Sequence, residues 1–461
     1  LLLFGCLFED DKYVSTGEGS GRGVSTALPD GALPDGRTPG GGGDGDGDGD
    51  GSGLEMAFDG GFLPDGAPLG GGDDDDAGTA GELDVSGCSV AADEGFEISV
   101  PTVEGGFALT PGTVDFGLAY LGEGNCAGVI DTAIVPSLVG SPSPRTIIDD
   151  CRTIVELSLV SSADRWFMAW TDNSADRVEL FSAQLGDDLS LGEATRTRVT
   201  DNMAFERRPK LADIAGNAVL AWVEEETGGQ RPIKTRVLGA DGGSEAIVIA
   251  GSDGRLPIEL AIAQMGEERG ALAWVEEIAN QGVWLQPLDG EGKKAGTPRQ
   301  MTPYAAPGST VDLATRERDG GATIYSIGID QVSFEVRFRR LDEQADFWGE
   351  EVKVIGRPLQ GKDAGIARLG GGYVVAYRAI PDGNTITSPQ VRLAFVTKEG
   401  NVTKDPQGRV VTFPVAPATR DGSQIQVKVS VDGQIMLAFV DGSSADSNTL
   451  RIIRRRLDCG G

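Results

Sequence analysis

Histidine is absent from this 461-residue chain. That removes the usual general base of Ser/His/Asp and Cys/His sites and a common ligand of zinc and iron. Positive charge is scarce: 40 Lys and Arg stand against 71 Asp and Glu, a net charge of −31. A chain this acidic has no electrostatic attraction for nucleic acid or anionic lipid, which require a basic face. The five cysteines include no C-x-x-C pair, and no segment is long and apolar enough to span a bilayer.

Apolar residues are thin in one stretch above all. Residues 9–86 are dominated by Gly, Asp, Pro and Ser, with runs such as Gly41-Gly42-Gly43-Asp44 and Asp73-Asp74-Asp75-Asp76. Too few side chains can be buried there to offset the entropy of ordering a backbone, so a disordered acidic tether is expected. A Gly-rich coil of that length spans about 50 Å end to end, and more where like charges repel. Asp44, Asp46, Asp48 and Asp50 alternate with glycine and offer hard oxygens to Ca²⁺. The run lacks the bidentate Glu that closes an EF-hand loop, and no helical pattern flanks it. A solvated linker is the plainer expectation, and no other cofactor is implied.

Residues 1–8, Leu-Leu-Leu-Phe-Gly-Cys-Leu-Phe, read as a signal-peptide remnant. Leu3-Phe4-Gly5-Cys6 resembles the lipobox of bacterial lipoproteins, although Phe4 is larger than the usual small residue. The resemblance implies a lipid on Cys6, with the acidic tether holding a domain clear of the membrane.

From residue 87 onward the chain is repetitive. An apolar-x-Ala-aromatic signature places its aromatic at Tyr120, Trp170, Trp222, Trp274, Tyr325, Tyr377 and Phe439, at steps of 50, 52, 52, 51, 52 and 62 residues. Ala precedes the aromatic in six copies, and Ile324 replaces it once. A period of this size marks a propeller or solenoid, each copy being one supersecondary unit. In the third copy, four short apolar runs are separated by turns at Ala215-Gly216-Asn217, Thr227-Gly228-Gly229 and Asp241-Gly242-Gly243. That pattern predicts a four-stranded antiparallel meander. The expected fold is therefore all-β, a seven-bladed β-propeller over residues 87–461. The signature aromatics are expected to be core between blades, because a sheet covered on both faces buries both sides of its second strand.

The last copy lacks a fourth run, and an orphan run, Phe96–Val100, precedes the first copy. Strand 96–100 is expected to complete the last blade and close the ring. Strand polarity then puts Cys88 and Cys459 on one face and Cys126 and Cys151 on the other, which predicts the disulfides Cys88–Cys459 and Cys126–Cys151. Both imply an oxidising compartment.

Charge gathers on the face bearing Cys126 and Cys151. Asp172, Glu224, Glu225, Glu276, Glu277 and Asp441 follow the signature aromatics, and Arg152, Arg208, Arg255, Lys362 and Arg420 stand where inner strands begin. These cations could ring a channel mouth and hold a carboxylated or sulfated glycan. The plainer expectation is a solvated face whose opposite charges pair with one another. No carboxylate pair stands out for glycoside cleavage, and neither Trp-Asp repeats nor the Ser-x-Asp-x-Gly-x-x-Trp turn of sialidase-type propellers occur.

The repeat, tether and lipobox together resemble bacterial propeller lipoproteins of unassigned activity with Val/Leu-Ala-Trp repeats. That resemblance implies a cell-envelope location and no particular chemistry. The expected role is a monomeric, non-enzymatic binding or scaffold module with a protein or glycan partner. It would meet the membrane through its lipid alone and would not bind nucleic acid. A polysaccharide-active hydrolase or lyase, and a Ca²⁺-binding surface protein, are the alternatives.

Overall fold

The strands form because short, β-branched-rich apolar runs are punctuated by residues that accept left-handed backbone. Ile214 pairs with Asn217 across the two-residue loop Ala215-Gly216, both residues at positive φ (54° and 75°). The same geometry recurs without glycine at Ala163-Asp164 (47° and 58°), between Ser162 and Arg165. Two successive positive-φ residues make the turn whose twist matches an antiparallel hairpin.

The computed structural model describes residues 88–458 apart from 92–96, 103–105, 114, 123–128, 137–141, 150–153, 174–176, 240–242, 251–256, 277–281, 304–308, 316–319, 329–333, 356–358, 382–388, 418–423, 431–432 and 445–446. All of these belong to one unit, Asp73–Gly461. The expectations placed on the tether, on Cys6 and on Asp44 to Asp50 fall outside the described residues.

Seven antiparallel sheets result, and six are four-stranded meanders with strands in consecutive order. Blade 3, for example, runs Phe205–Ile214, Asn217–Glu225, Ile233–Val237 and Ile247–Ala250. The first strands of blades 1 to 7 are Phe107–Pro111, Ile154–Ser162, Phe205–Ile214, Pro257–Gln264, Thr310–Thr315, Leu359–Leu369 and Ile425–Val429. Each lies against the first strand of the next blade, and the seventh lies against the first. The chain is thus an all-β, seven-bladed propeller with its first strands around the axis.

Blade 7 draws on both parts of the chain. Its strands Ile425–Val429, Ile435–Ser444 and Ser447–Asp458 are followed on the outside by Glu97–Thr102, which pairs antiparallel with Ser447–Asp458 in the register Glu97 to Ile453 through Thr102 to Asn448. A second piece, Ser89–Ala91, continues that outer edge with Ser89 opposite Asp458. No residue pattern around Cys88 predicts this three-residue strand.

Blade-on-blade packing explains the signature. Successive strand residues point to opposite faces, so the Ala and the aromatic of one copy face different neighbours. Seven apolar clusters fill the seven seams, each holding the residue before the aromatic of one blade and the aromatic of the next. Ala119 meets the Trp170 cluster, Ala169 that of Trp222, Ala221 that of Trp274 and Ala273 that of Tyr325. Ile324 shares a cluster with Tyr377, Ala376 with Phe439, and Ala438 with Tyr120, which closes the ring. All seven aromatics are at most 4% exposed, as a core role requires.

Candidate functional site

The first strands enclose an axial channel with a cavity of about 630 Å³, lined by residues from all seven blades. Three levels of the channel follow from strand register. The middle level comprises residues opposite the one preceding the signature aromatic: Ala108, Ser158, Lys210, Ala261, Asp312, Gly365 and Gln426. One step toward the face where inner strands begin, the mouth level holds Glu156, Arg208, Glu259, Thr310, Asp363 and Gln424 in blades 2 to 7. The deep level holds Thr110, Val160, Ala212, Ala263, Ala314, Ala367 and Lys428.

The mouth is built from distorted backbone. Register shifts interrupt the first strand between Ile154 and Leu157, Arg207 and Lys210, Pro257 and Glu259, and Lys362 and Gly365. Arg208, Asp363 and Gln424 adopt positive φ (56°, 53° and 56°) although none is glycine. Such bulges re-aim side chains and backbone donors, and each left-handed residue costs about 1–2 kcal/mol.

The re-aimed groups latch one blade to the next. The Glu156 carboxylate accepts a short hydrogen bond from the Arg208 backbone N–H. Ser158 Oγ accepts from Leu211 N at 2.9 Å, Asp312 Oδ2 from Ile366 N at 3.0 Å, and Gln426 Oε1 from Leu109 N at 2.8 Å. Where the middle level is glycine, the backbones themselves approach: a Cβ on Gly365 would sit 2.7 Å from the Ile425 carbonyl oxygen.

Among the described residues seven charged side chains line the cavity: Glu156, Glu259, Asp312, Asp363, Arg208, Lys210 and Lys428. Arg208 Nη1 and Lys210 Nζ reach the two oxygens of Glu259 at 3.3 and 3.6 Å. Asp363 Oδ2 pairs with the wholly buried Arg378 Nε at 3.2 Å, and Arg378 Nη2 also donates to the Val440 carbonyl. Asp312 Oδ1 further accepts from Leu313 N at 2.9 Å.

Of the cations expected at a ligand site, Arg208 is the one whose side chain is described, and it stands at the channel mouth. Arg152, Arg255 and Arg420 lie outside the described residues. Lys362 is described through its backbone, opposite Arg378. Cys126, Cys151 and Cys459 also lie outside. Cys88 is disulfide-bonded.

The acids after the aromatics differ from a solvated face. Asp172, Glu224, Glu276 and Asp441 are 1%, 5%, 3% and 8% exposed. Two residues past the aromatic, they share its buried side of the strand. Their charge is met from neighbouring strands: Arg196 Nη2 lies 3.5 Å from Asp172, Lys234 Nζ 2.5 Å from Glu224 and Arg451 Nη1 3.3 Å from Asp441, while Trp274 Nε1 donates to Glu276 at 2.9 Å. Glu225 keeps partial exposure between Arg207 and Arg231, and Glu277 lies outside the described residues.

Blade 3 carries an unusual pair. Glu206 lies opposite Glu224 in register and is 1% exposed. Asn202 Nδ2 donates to both carboxyl groups, at 3.1 and 3.0 Å, while Glu206 Oε2 has no hydrogen-bond partner among the described residues. Burial, with the Glu224 charge behind it, pushes the Glu206 carboxyl up to about 8. Among the described residues no group of three Asp, Glu, His or Cys is placed to hold a metal ion.

Register was the signal needed to find Glu156, Lys210, Glu259, Asp312, Asp363 and Lys428. Each is fixed by its distance from a signature aromatic once the bulges are known.

No protein-family model and no curated protein matches the sequence. Among solved structures, the BP39L lectin of Burkholderia pseudomallei is similar at 15% identity, over 73% of this chain and 96% of that one, with a TM-score of 0.47. The WD40 domain of Toxoplasma gondii coronin is similar at 11% identity, over 80% and 88%, with a TM-score of 0.46. A puromycin hydrolase matches at 13% identity and a TM-score of 0.44, over 74% of this chain and only 50% of its own length. At this distance the likeness says nothing of ligand or reaction.

Proposed function

We propose that the protein is a non-enzymatic binding module of the bacterial cell envelope whose ligand, a glycan, enters the axial channel. The observation that supports this most is the chemistry of the cavity wall. A space of about 630 Å³ falls in the size range of small-ligand sites. Its four acids each serve a seam between blades or a buried ion pair. Carboxylates committed in this way hold the scaffold, whereas glycoside cleavage needs a pair free to exchange protons with substrate. Hydroxyl and amide groups at Ser309, Thr310 and Gln424 line the same wall, and polar groups of this kind suit hydroxyl-rich ligands.

In this reading Cys6 carries a lipid, residues 9–86 form the tether, and the disulfides Cys88–Cys459 and Cys126–Cys151 stabilise a domain in an oxidising compartment. The first disulfide draws support from Ser89 standing opposite Asp458, the residue before Cys459. Incubation with a panel of polysaccharides, followed by affinity measurement and product analysis, tests the functional reading. Saturable binding without new reducing ends or unsaturated products is expected. Turnover of any member would favour the hydrolase or lyase reading instead.

A further inference from the structure

Of the seven charged side chains described along the channel, six are held by neighbours, and Lys428 stands apart. It lies on the first strand of blade 7 opposite Met436, half-buried, and lines the cavity. Among the described residues its ammonium makes no hydrogen bond and no ion pair. At the equivalent position the other six blades carry Thr110, Val160, Ala212, Ala263, Ala314 and Ala367. Small or apolar residues are therefore the rule at this depth, and a lysine is the exception.

A partly desolvated cation without a counter-charge is unfavourable, and an anionic ligand group would remove that penalty. We infer that Lys428 is the anchor of a ligand site in the channel for the carboxylate of a short acidic glycan, an assignment that rests on the channel-binding reading above. Three observations define the ligand class. Among the described residues one positive charge is spare, and it calls for one negative charge. The acids Glu156, Glu259, Asp312 and Asp363 along the wall disfavour sulfated or multiply charged polymers. Thr110, on the adjoining first strand of blade 1, also lines the cavity and adds a hydroxyl at the same depth. The ligand is thus a largely neutral glycan with one terminal carboxylate, seated with its charged end deep and its hydroxyl-rich body toward the mouth.

The test compares a disaccharide ending in glucuronate with its carboxyl-reduced, neutral counterpart by calorimetric titration. The wild-type protein is expected to bind the acidic form at least about tenfold more tightly, since a charge-assisted hydrogen bond carries a difference of that order. Lys428→Met should abolish the preference without lowering the melting temperature, and Lys428→Arg should retain part of it. Should Lys428→Met fail to fold, the Arg variant decides: a kept preference supports the assignment and a lost one overturns it. Equal binding of both sugars by the wild type, or a preference that survives in the Met variant, overturns this site while leaving a glycan-binding module intact. Absence of binding by these sugars and by every member of the polysaccharide panel overturns both readings.

Discussion

Ala438 of blade 7 and Tyr120 of blade 1 lie 318 positions apart in sequence and share the apolar cluster that closes the ring. Both are essentially inaccessible to water (0% and 4% exposed). Replacing Ala438 with Leu should overpack that seam and lower stability by about 1–3 kcal/mol. Tyr120→Ala, which opens a cavity there instead, should cost about 3–5 kcal/mol. Urea unfolding of the two variants measures both, and a neutral result for either would mean the seam is not packed as described.

Gly365 marks a close approach of the inner strands of blades 6 and 7. Adding a methyl group 2.7 Å from the Ile425 carbonyl oxygen must push blades 6 and 7 apart. Gly365→Ala is expected to lower the melting temperature, whereas Gly370→Ala, with nothing within 4 Å but a positive φ of 52°, should cost only local backbone strain. Differential scanning calorimetry separates the two, the loss at Gly365 being the larger.

The Asp363–Arg378 pair behaves as a buried ion pair, with side chains 5% and 0% exposed. Asp363→Ala should destabilise by about 3–5 kcal/mol, because it removes the carboxylate that faces a wholly buried guanidinium. The double variant Asp363→Leu, Arg378→Met should recover much of that loss. A double-mutant cycle on unfolding free energies checks the prediction, and additive losses would contradict it.

Glu206 gives stability a definite pH dependence. Burial, with the Glu224 charge beside it, pushes its carboxyl up to about 8 in the folded protein, from the ordinary value of 4.5. Between those values the native state binds more protons than the unfolded state, so stability falls as pH rises. The contribution is fully present below about 4.5 and lost as pH passes through 8. Glu225 and Glu335 are shifted the opposite way and act at lower pH, so they do not mask this window. Glu206→Gln should flatten the decline of stability between pH 5 and pH 9, and a profile parallel to wild type would refute the assignment.

The blades were legible in the sequence for a physical reason. Each seam needs a small residue facing a large one, so the Ala-aromatic step repeats wherever a second strand is covered on both faces. The hairpins were legible too, since their turns demand positive φ. Channel chemistry was not. Arg208 and Asp363 sit in bulges where the pairing register slips, and two-residue alternation counted back from Trp222 or Tyr377 loses its parity there. Asp172 and Glu224 looked like surface charges because their partners, Arg196 and Lys234, lie on other strands at distances no local pattern records. Lys428 stood out only when its six counterparts were aligned by register.

The most direct test of the account is a structure of the protein with the glucuronate-terminated disaccharide bound. The sugar is predicted in the axial channel, with its carboxylate about 2.7–2.9 Å from Lys428 Nζ and its body toward Arg208 and Gln424. A sugar seated on the outer strands or on the blade edges, with the channel unaltered, would contradict it.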